Sequence, residues 1–155
     1  MKRIDLFAIG IGVLASGGLF AMGRAYAGEG DRPARCSLAT LDGQYLFGAP
    51  TTLFPPAFGV TEQSIATAAG FHIFNGDGTG TDFVTFSVNG IDQHVPSPVA
   101  TIYTLNSDCT GTFSVKNGPN FDIFVAVAGS ALSVVGTDPG LASSERDVRV
   151  GKTAP

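Results

Sequence analysis

Residues Gln63–Gly90 read QSIATAAGFHIF-NGDGTG-TDFVTFSV-NG. Two runs rich in β-branched residues and phenylalanine flank a cluster of turn-forming residues, and Asn89-Gly90 closes the second run. Strand runs bounded by such clusters read as antiparallel hairpins, and Asn-Gly is the strongest two-residue hairpin signal. The stretch therefore predicts a long strand from Gln63 to Phe74, a turn over Asn75–Gly80 and a return strand from Thr81 to Val88.

The same pattern continues on both sides. Gly43–Gly48 reads as a strand before it. After it, strands are expected at Val99–Leu105, Thr110–Val115, Phe121–Ala128, Ala131–Thr137 and Arg146–Val150. Turns at Asn106-Ser107-Asp108, Asn117-Gly118-Pro119-Asn120 and Asp138-Pro139-Gly140 separate them. No stretch after Leu41 carries helical periodicity. About eight closely spaced strands joined mostly by short turns define an all-β chain, a sandwich or a barrel. A meander of this length leaves two bare edges unless it closes. The expected fold is thus a small closed antiparallel up-and-down barrel, with a β-sandwich as the alternative. Several strands carry apolar residues on both faces, as in Phe121–Ala128, so part of the exterior is expected to be covered, by a second copy or by the segment Ala49–Gly59. That segment, APTTLFPPAFG, holds no charge, and its Phe54 and Phe58 are expected to be buried as a strap or to form the portal of a lumen.

The N-terminus has the layout of a secretory signal peptide: Lys2 and Arg3, an apolar run Leu6–Met22, and Ala25-Tyr26-Ala27 as the cleavage site. The run is short for a membrane span and carries four glycines. The expected organisation is a signal peptide over 1–27, a lead-in over 28–40 and one barrel domain over 41–155, with no stable membrane anchor after cleavage. Cleavage removes Lys2, Arg3 and Arg24 against Asp5, so the formal charge moves from −4 to −6. From Arg35 to Arg146 the only basic side chain between them is Lys116, which makes nucleic acid a poor partner. The address is an exported one, periplasmic or secreted. There the two cysteines, Cys36 and Cys109, are expected to form one disulfide, worth about 4 kcal/mol by loop entropy. A metal or redox role for that pair lacks both Cys-x-x-Cys and a nearby histidine.

Chemistry-bearing patterns are sparse. Asn75-x-Asp77-x-Thr79-Gly80 resembles the front of a calcium loop, but Phe86 stands where the twelfth-position carboxylate belongs. Asp92 and His94 lie two apart in a proline-bounded loop with no local third ligand. No metal site and no cofactor is therefore expected. Gly-x-Ser-x-Gly is absent. His72, on an apolar strand, is the candidate polar anchor or proton carrier, and Asp122 is the candidate acid. Phe71, Phe74, Phe86, Tyr103 and Phe124, with Phe54 and Phe58 of the loop, are the candidate ligand-lining residues.

Five stretches carry a resemblance: LDGQYLF at Leu41–Phe47, FNGDG at Phe74–Gly78, YTLNSDCTGT at Tyr103–Thr112, FDI at Phe121–Ile123 and TDPG at Thr137–Gly140. In this order they resemble a group of small exported bacterial proteins of uncharacterised function, similar in turn to the allene-oxide-cyclase-like barrels, which are calycin-like in shape. The resemblance implies an eight-stranded barrel with a lumen for an apolar molecule, and oligomerisation. It carries no catalytic set to positions of this chain. The leading functional expectation is an exported barrel that binds a small apolar ligand without catalysis. The alternatives are an isomerase or cyclase, and a structural or oligomeric envelope protein with a filled barrel.

Overall fold

The structure, a computed structural model, describes residues 35–152. The expected signal peptide lies outside the described residues, as do the first residues of the lead-in. Nine strands follow: β1 (Gly43–Leu53), β2 (Ser64–Phe74), β3 (Thr79–Val88), β4 (Ile91–Asp92), β5 (Val99–Leu105), β6 (Thr110–Val115), β7 (Asn120–Val125), β8 (Ala131–Gly136) and β9 (Leu141–Gly151). β4 is a two-residue spur on β3. The other eight pair antiparallel in chain order, and β9 pairs with β1. The barrel is closed, as the edge argument requires, and the sandwich alternative falls.

The turns form for the reasons their residues suggest. Asn89 and Gly90 both have positive φ, 49° and 81°, as a two-residue hairpin loop needs. Asn75-x-Asp77-x-Thr79 and Asn106-x-Asp108-x-Thr110 build the same turn twice. In each, the threonine N–H and hydroxyl both donate to the aspartate, at 2.8 and 2.7 Å in the first and 3.1 and 2.7 Å in the second. The asparagine amide donates to the threonine hydroxyl at 2.9 and 3.1 Å. Asp77 is thereby committed to its turn, and the Thr79 donors hold its carboxyl below the ordinary carboxylate range.

Two boundaries lie five residues from expectation. β1 runs on through Pro50 to Leu53, so Ala49–Leu53 is barrel wall rather than loop. Proline is tolerated there because the β1–β9 ladder is interrupted between Leu46↔Val148 and Thr51↔Ser143. β9 begins at Leu141, five residues before the expected strand. Leu53 at the end of β1 and Ala57 in the remaining loop are buried, whereas Phe54 and Phe58 are 43% and 53% exposed. Ala57, packed with Leu53 and Ala66, pins the strap to the wall, not the aromatics.

The interior is divided lengthwise. One end is packed solid by Leu41, Tyr45, Phe74, Phe113, Ile123 and Val134 among others. Phe74 sits edge-on to Tyr45, Tyr103 and Phe113 at centroid distances of 5.5, 4.9 and 5.6 Å. The lead-in seals this end through a 3-10 turn, Leu38–Leu41. The Cys36–Cys109 disulfide ties the lead-in to the β5–β6 turn, and the Tyr103 hydroxyl donates to the Leu38 carbonyl at 3.0 Å. Arg149 donates to the Tyr45 hydroxyl, which itself donates to the Gly129 carbonyl at 2.6 Å. A Cβ on Gly129 would lie 2.0 Å from the Thr40 carbonyl oxygen, and its φ is +64°, so only glycine fits this closure. The opposite end is open.

Candidate functional site

The open end holds a cavity of about 530 Å³. Alternation along each strand decides what lines it. Phe47, Ala49 and Thr51 of β1, Ala68 and His72 of β2, and Asp82, Val84 and Phe86 of β3 all face inward and border it. Leu141, Ser143 and Glu145 of β9 continue the wall, and Val99 and Ala100 of β5, Val115 of β6, the turn Lys116–Pro119 and Phe121 of β7 line the remaining side. β3 pairs with β5 only over Thr79–Asp82, and beyond that point Val95, Pro96 and Pro98 of the intervening loop border the cavity instead. Phe58 reaches the mouth, 5.8 Å from the Phe86 ring.

The floor is ionic. His72 and Asp82 are cross-strand partners in the β2–β3 ladder. His72 Nδ1 donates to Asp82 Oδ1 at 2.8 Å. Its Nε2 points at Glu145 Oε1, 3.4 Å away, and at Asp147 Oδ2, 3.6 Å away. The His72, Asp82 and Glu145 side chains are each 4% exposed and that of Asp147 is 0% exposed. The Phe47 ring stacks on the imidazole at 4.1 Å, and Phe113 meets it edge-on at 4.9 Å. Gly70 keeps this stack possible: a Cβ there would lie 3.1 Å from the Phe47 ring and 1.8 Å from the Phe83 carbonyl oxygen. Burial disfavours charge on His72, but the carboxylates of Asp82, Glu145 and Asp147 outweigh it and raise its pKa to about 10. Burial is also the main reason that the Asp147 pKa rises to about 7, against the attraction of His72. His72 Nε2 and both Asp147 carboxylate oxygens are buried without a hydrogen-bond partner, as is the Thr101 hydroxyl.

The expected site residues divide into three sets. His72, Phe86 and Phe58 border the cavity. Phe74 and Tyr103 face inward but belong to the packed end. Phe71 and Phe124 face outward, 36% and 52% exposed, so they do not line the lumen. Phe54 is exposed and outside the lining. Asp122 is a correction too: it lies exposed on the outer face of β7, between Thr112 and Val135 of the flanking strands, and is not a companion of His72. The acids that do meet His72 are Asp82, Glu145 and Asp147. The first was legible: folding the hairpin about Asp77 puts residues 72 and 82 opposite each other. The second and third stand two apart, hence on one strand face.

No protein-family model, curated protein or solved structure matches this chain. The site therefore rests on its own geometry.

Proposed function

We propose that the barrel is an exported binding protein that holds one small, largely apolar, uncharged molecule in its open end. The observation that carries this reading is the half-open lumen of about 530 Å³, within the roughly 300–1,000 Å³ range of small-molecule sites. Phe47, Val84, Phe86 and Leu141 would hold the apolar body, and the ionic floor would receive a hydroxyl or similar polar atom. The acid-rich floor disfavours a carboxylate head. A disulfide at Cys36–Cys109 fits export to an oxidising compartment. The test is native mass spectrometry and solvent extraction of protein taken from its own host, with an apolar fluorescent probe titrated in parallel. A co-purified molecule, and probe binding abolished by Ala68→Phe, would support the reading. Empty protein that binds no probe would overturn it.

The His72–Asp82 pair favours a second reading, an isomerase or cyclase in which His72 moves a proton on a molecule held in one conformation. Its signature would be a bound molecule recovered rearranged from the wild type and unaltered from His72→Gln.

A further inference from the structure

We propose that His72 Nε2, Glu145 and Asp147 form a binding site for one divalent first-row metal ion of the zinc class, at the floor of the cavity. The inference is independent of the apolar-ligand reading. Three observations carry it.

The first is geometry. The donor atoms of the three residues lie within 4.8 Å of one another. Two ligand atoms held about 2.0–2.1 Å from one ion at the tetrahedral angle stand about 3.4 Å apart. His72 Nε2 lies 3.4 Å from the Glu145 oxygen and 3.6 Å from the Asp147 oxygen. These separations are slightly long for hydrogen bonds and right for two ligands of one ion.

The second is satisfaction. Buried polar atoms almost always have partners, because an unpaired one keeps its full desolvation cost. Here His72 Nε2, Asp147 Oδ1 and Asp147 Oδ2 have none, and Nε2 lies 3.6 Å from Oδ2. An ion there would partner the imidazole nitrogen and a carboxylate oxygen together. It would also offset the charge of three carboxylates gathered around one imidazole.

The third is orientation. Asp82 accepts from Nδ1–H, which fixes the ring and turns Nε2 toward the two acids, where an ion would take the place of the proton on Nε2. A carboxylate behind a metal-binding histidine is the usual supporting arrangement. One imidazole with two carboxylates suits zinc and its neighbours better than magnesium or calcium, which prefer all-oxygen sets. His72 and Glu145 also border the cavity, so a further coordination position would face it. The other histidine, His94, pairs with Asp92 on the surface, 87% and 53% exposed, and has no such enclosure.

The test uses the purified full chain with its disulfide intact, stripped with chelator and titrated calorimetrically with Zn²⁺ alone. A His94→Ala background leaves His72 as the only histidine. One ion per chain is expected in that background, with a rise in thermal midpoint on saturation. Asp147→Asn and Glu145→Gln should each weaken binding by more than about a hundredfold, and Asp82→Asn by about ten- to a hundredfold as an outer-shell change. Circular dichroism checks that each variant keeps the fold. Absence of stoichiometric uptake by the His94→Ala protein would overturn the proposal and leave a proton-sharing cluster. Uptake by folded Asp147→Asn and Glu145→Gln proteins equal to that of the wild type would overturn it as well. If those variants do not fold, the His94→Ala titration decides alone.

Discussion

His72 and Asp82 face each other in register across the β2–β3 hairpin, and their side chains close to 2.8 Å at the floor of the lumen. Ten residues apart in sequence, they are brought together by the Asn75–Gly78 turn alone. Breaking a buried pair of this kind leaves an uncompensated polar group and costs about 3–5 kcal/mol. Asp82→Ala should therefore lower the urea midpoint by a large fraction of the total stability, whereas Asp122→Ala, on the exposed outer face, should leave it within about 0.5 kcal/mol of wild type.

The same pair predicts a pH dependence in chelator-treated protein. His72 keeps its proton in the fold up to about pH 10, while an unfolded histidine loses it near 6.5. The folded state binds the extra proton between those values. The stabilisation is complete below pH 6.5 and is lost as pH rises through 10. Asp147, raised to about 7 from 3.8, acts in the same sense over a lower window: its contribution is present below 3.8 and is lost as pH rises through 7. Urea unfolding of metal-free wild type should show falling stability from pH 5 to pH 9.5, and the upper part of that fall should vanish in His72→Gln.

Head-group preference follows from the floor. Asp82 and Glu145 border the floor of a mostly apolar cavity and Asp147 is buried beside them, while Lys116 also borders the cavity. A medium-chain alcohol should displace an apolar probe at lower concentration than the carboxylic acid of equal chain length at pH 7.5, because the acid brings a further negative charge into a buried acidic cluster. Equal displacement would place the ligand above the floor, with the walls alone selecting it.

The hairpins and the closed meander were legible because each turn carries its own chemistry. Asn89-Gly90 and the two Asn-x-Asp-x-Thr turns specify local geometry that no distant contact must supply. Closure followed from the cost of bare edges. The floor was only half legible. A strand with Ser143, Glu145, Asp147 and Arg149 on one face reads most simply as polar-outward, yet in β9 that face is the lumen. Nothing local marks the inversion, since β9 takes its facing from its register with β1 and β8. Phe71 was misassigned for a simpler reason. Phe71 and Phe74 are three apart and cannot share a strand face, so assigning both to the lumen contradicts the two-residue period.

The disulfide has a local and a global part. Cys36 and Cys109 are 73 residues apart, so cross-linking them restricts the unfolded chain by about 4 kcal/mol in the loop-entropy estimate. The Cys36→Ser/Cys109→Ser double variant should lose about 2–4 kcal/mol in urea unfolding. Hydrogen exchange should rise first at position 36, where the wild-type Cys36 N–H donates to the Ser107 carbonyl at 3.2 Å, and along Leu38–Leu41. β7 and β8, paired with each other and packed on the solid end through Ile123 and Val134, should keep their protection relative to the rest of the barrel.

Register itself is testable with two phenylalanines of one strand. Phe74 is 1% exposed and its ring touches Tyr45, Tyr103 and Phe113. Phe71 is 36% exposed, on the outer face beside Leu46 and Phe83. Truncating a buried phenylalanine costs about 3–5 kcal/mol, because the packed end cannot collapse around the space it leaves. Phe74→Ala should show that loss in the urea midpoint, and Phe71→Ser should cost well under half as much. A one-residue slip of β2 would exchange the two faces and reverse the order. The slip would also carry His72 to the outside, away from Asp82, Glu145 and Asp147. The two variants thus read the same structural variable as the floor chemistry, with no ligand or metal in the assay.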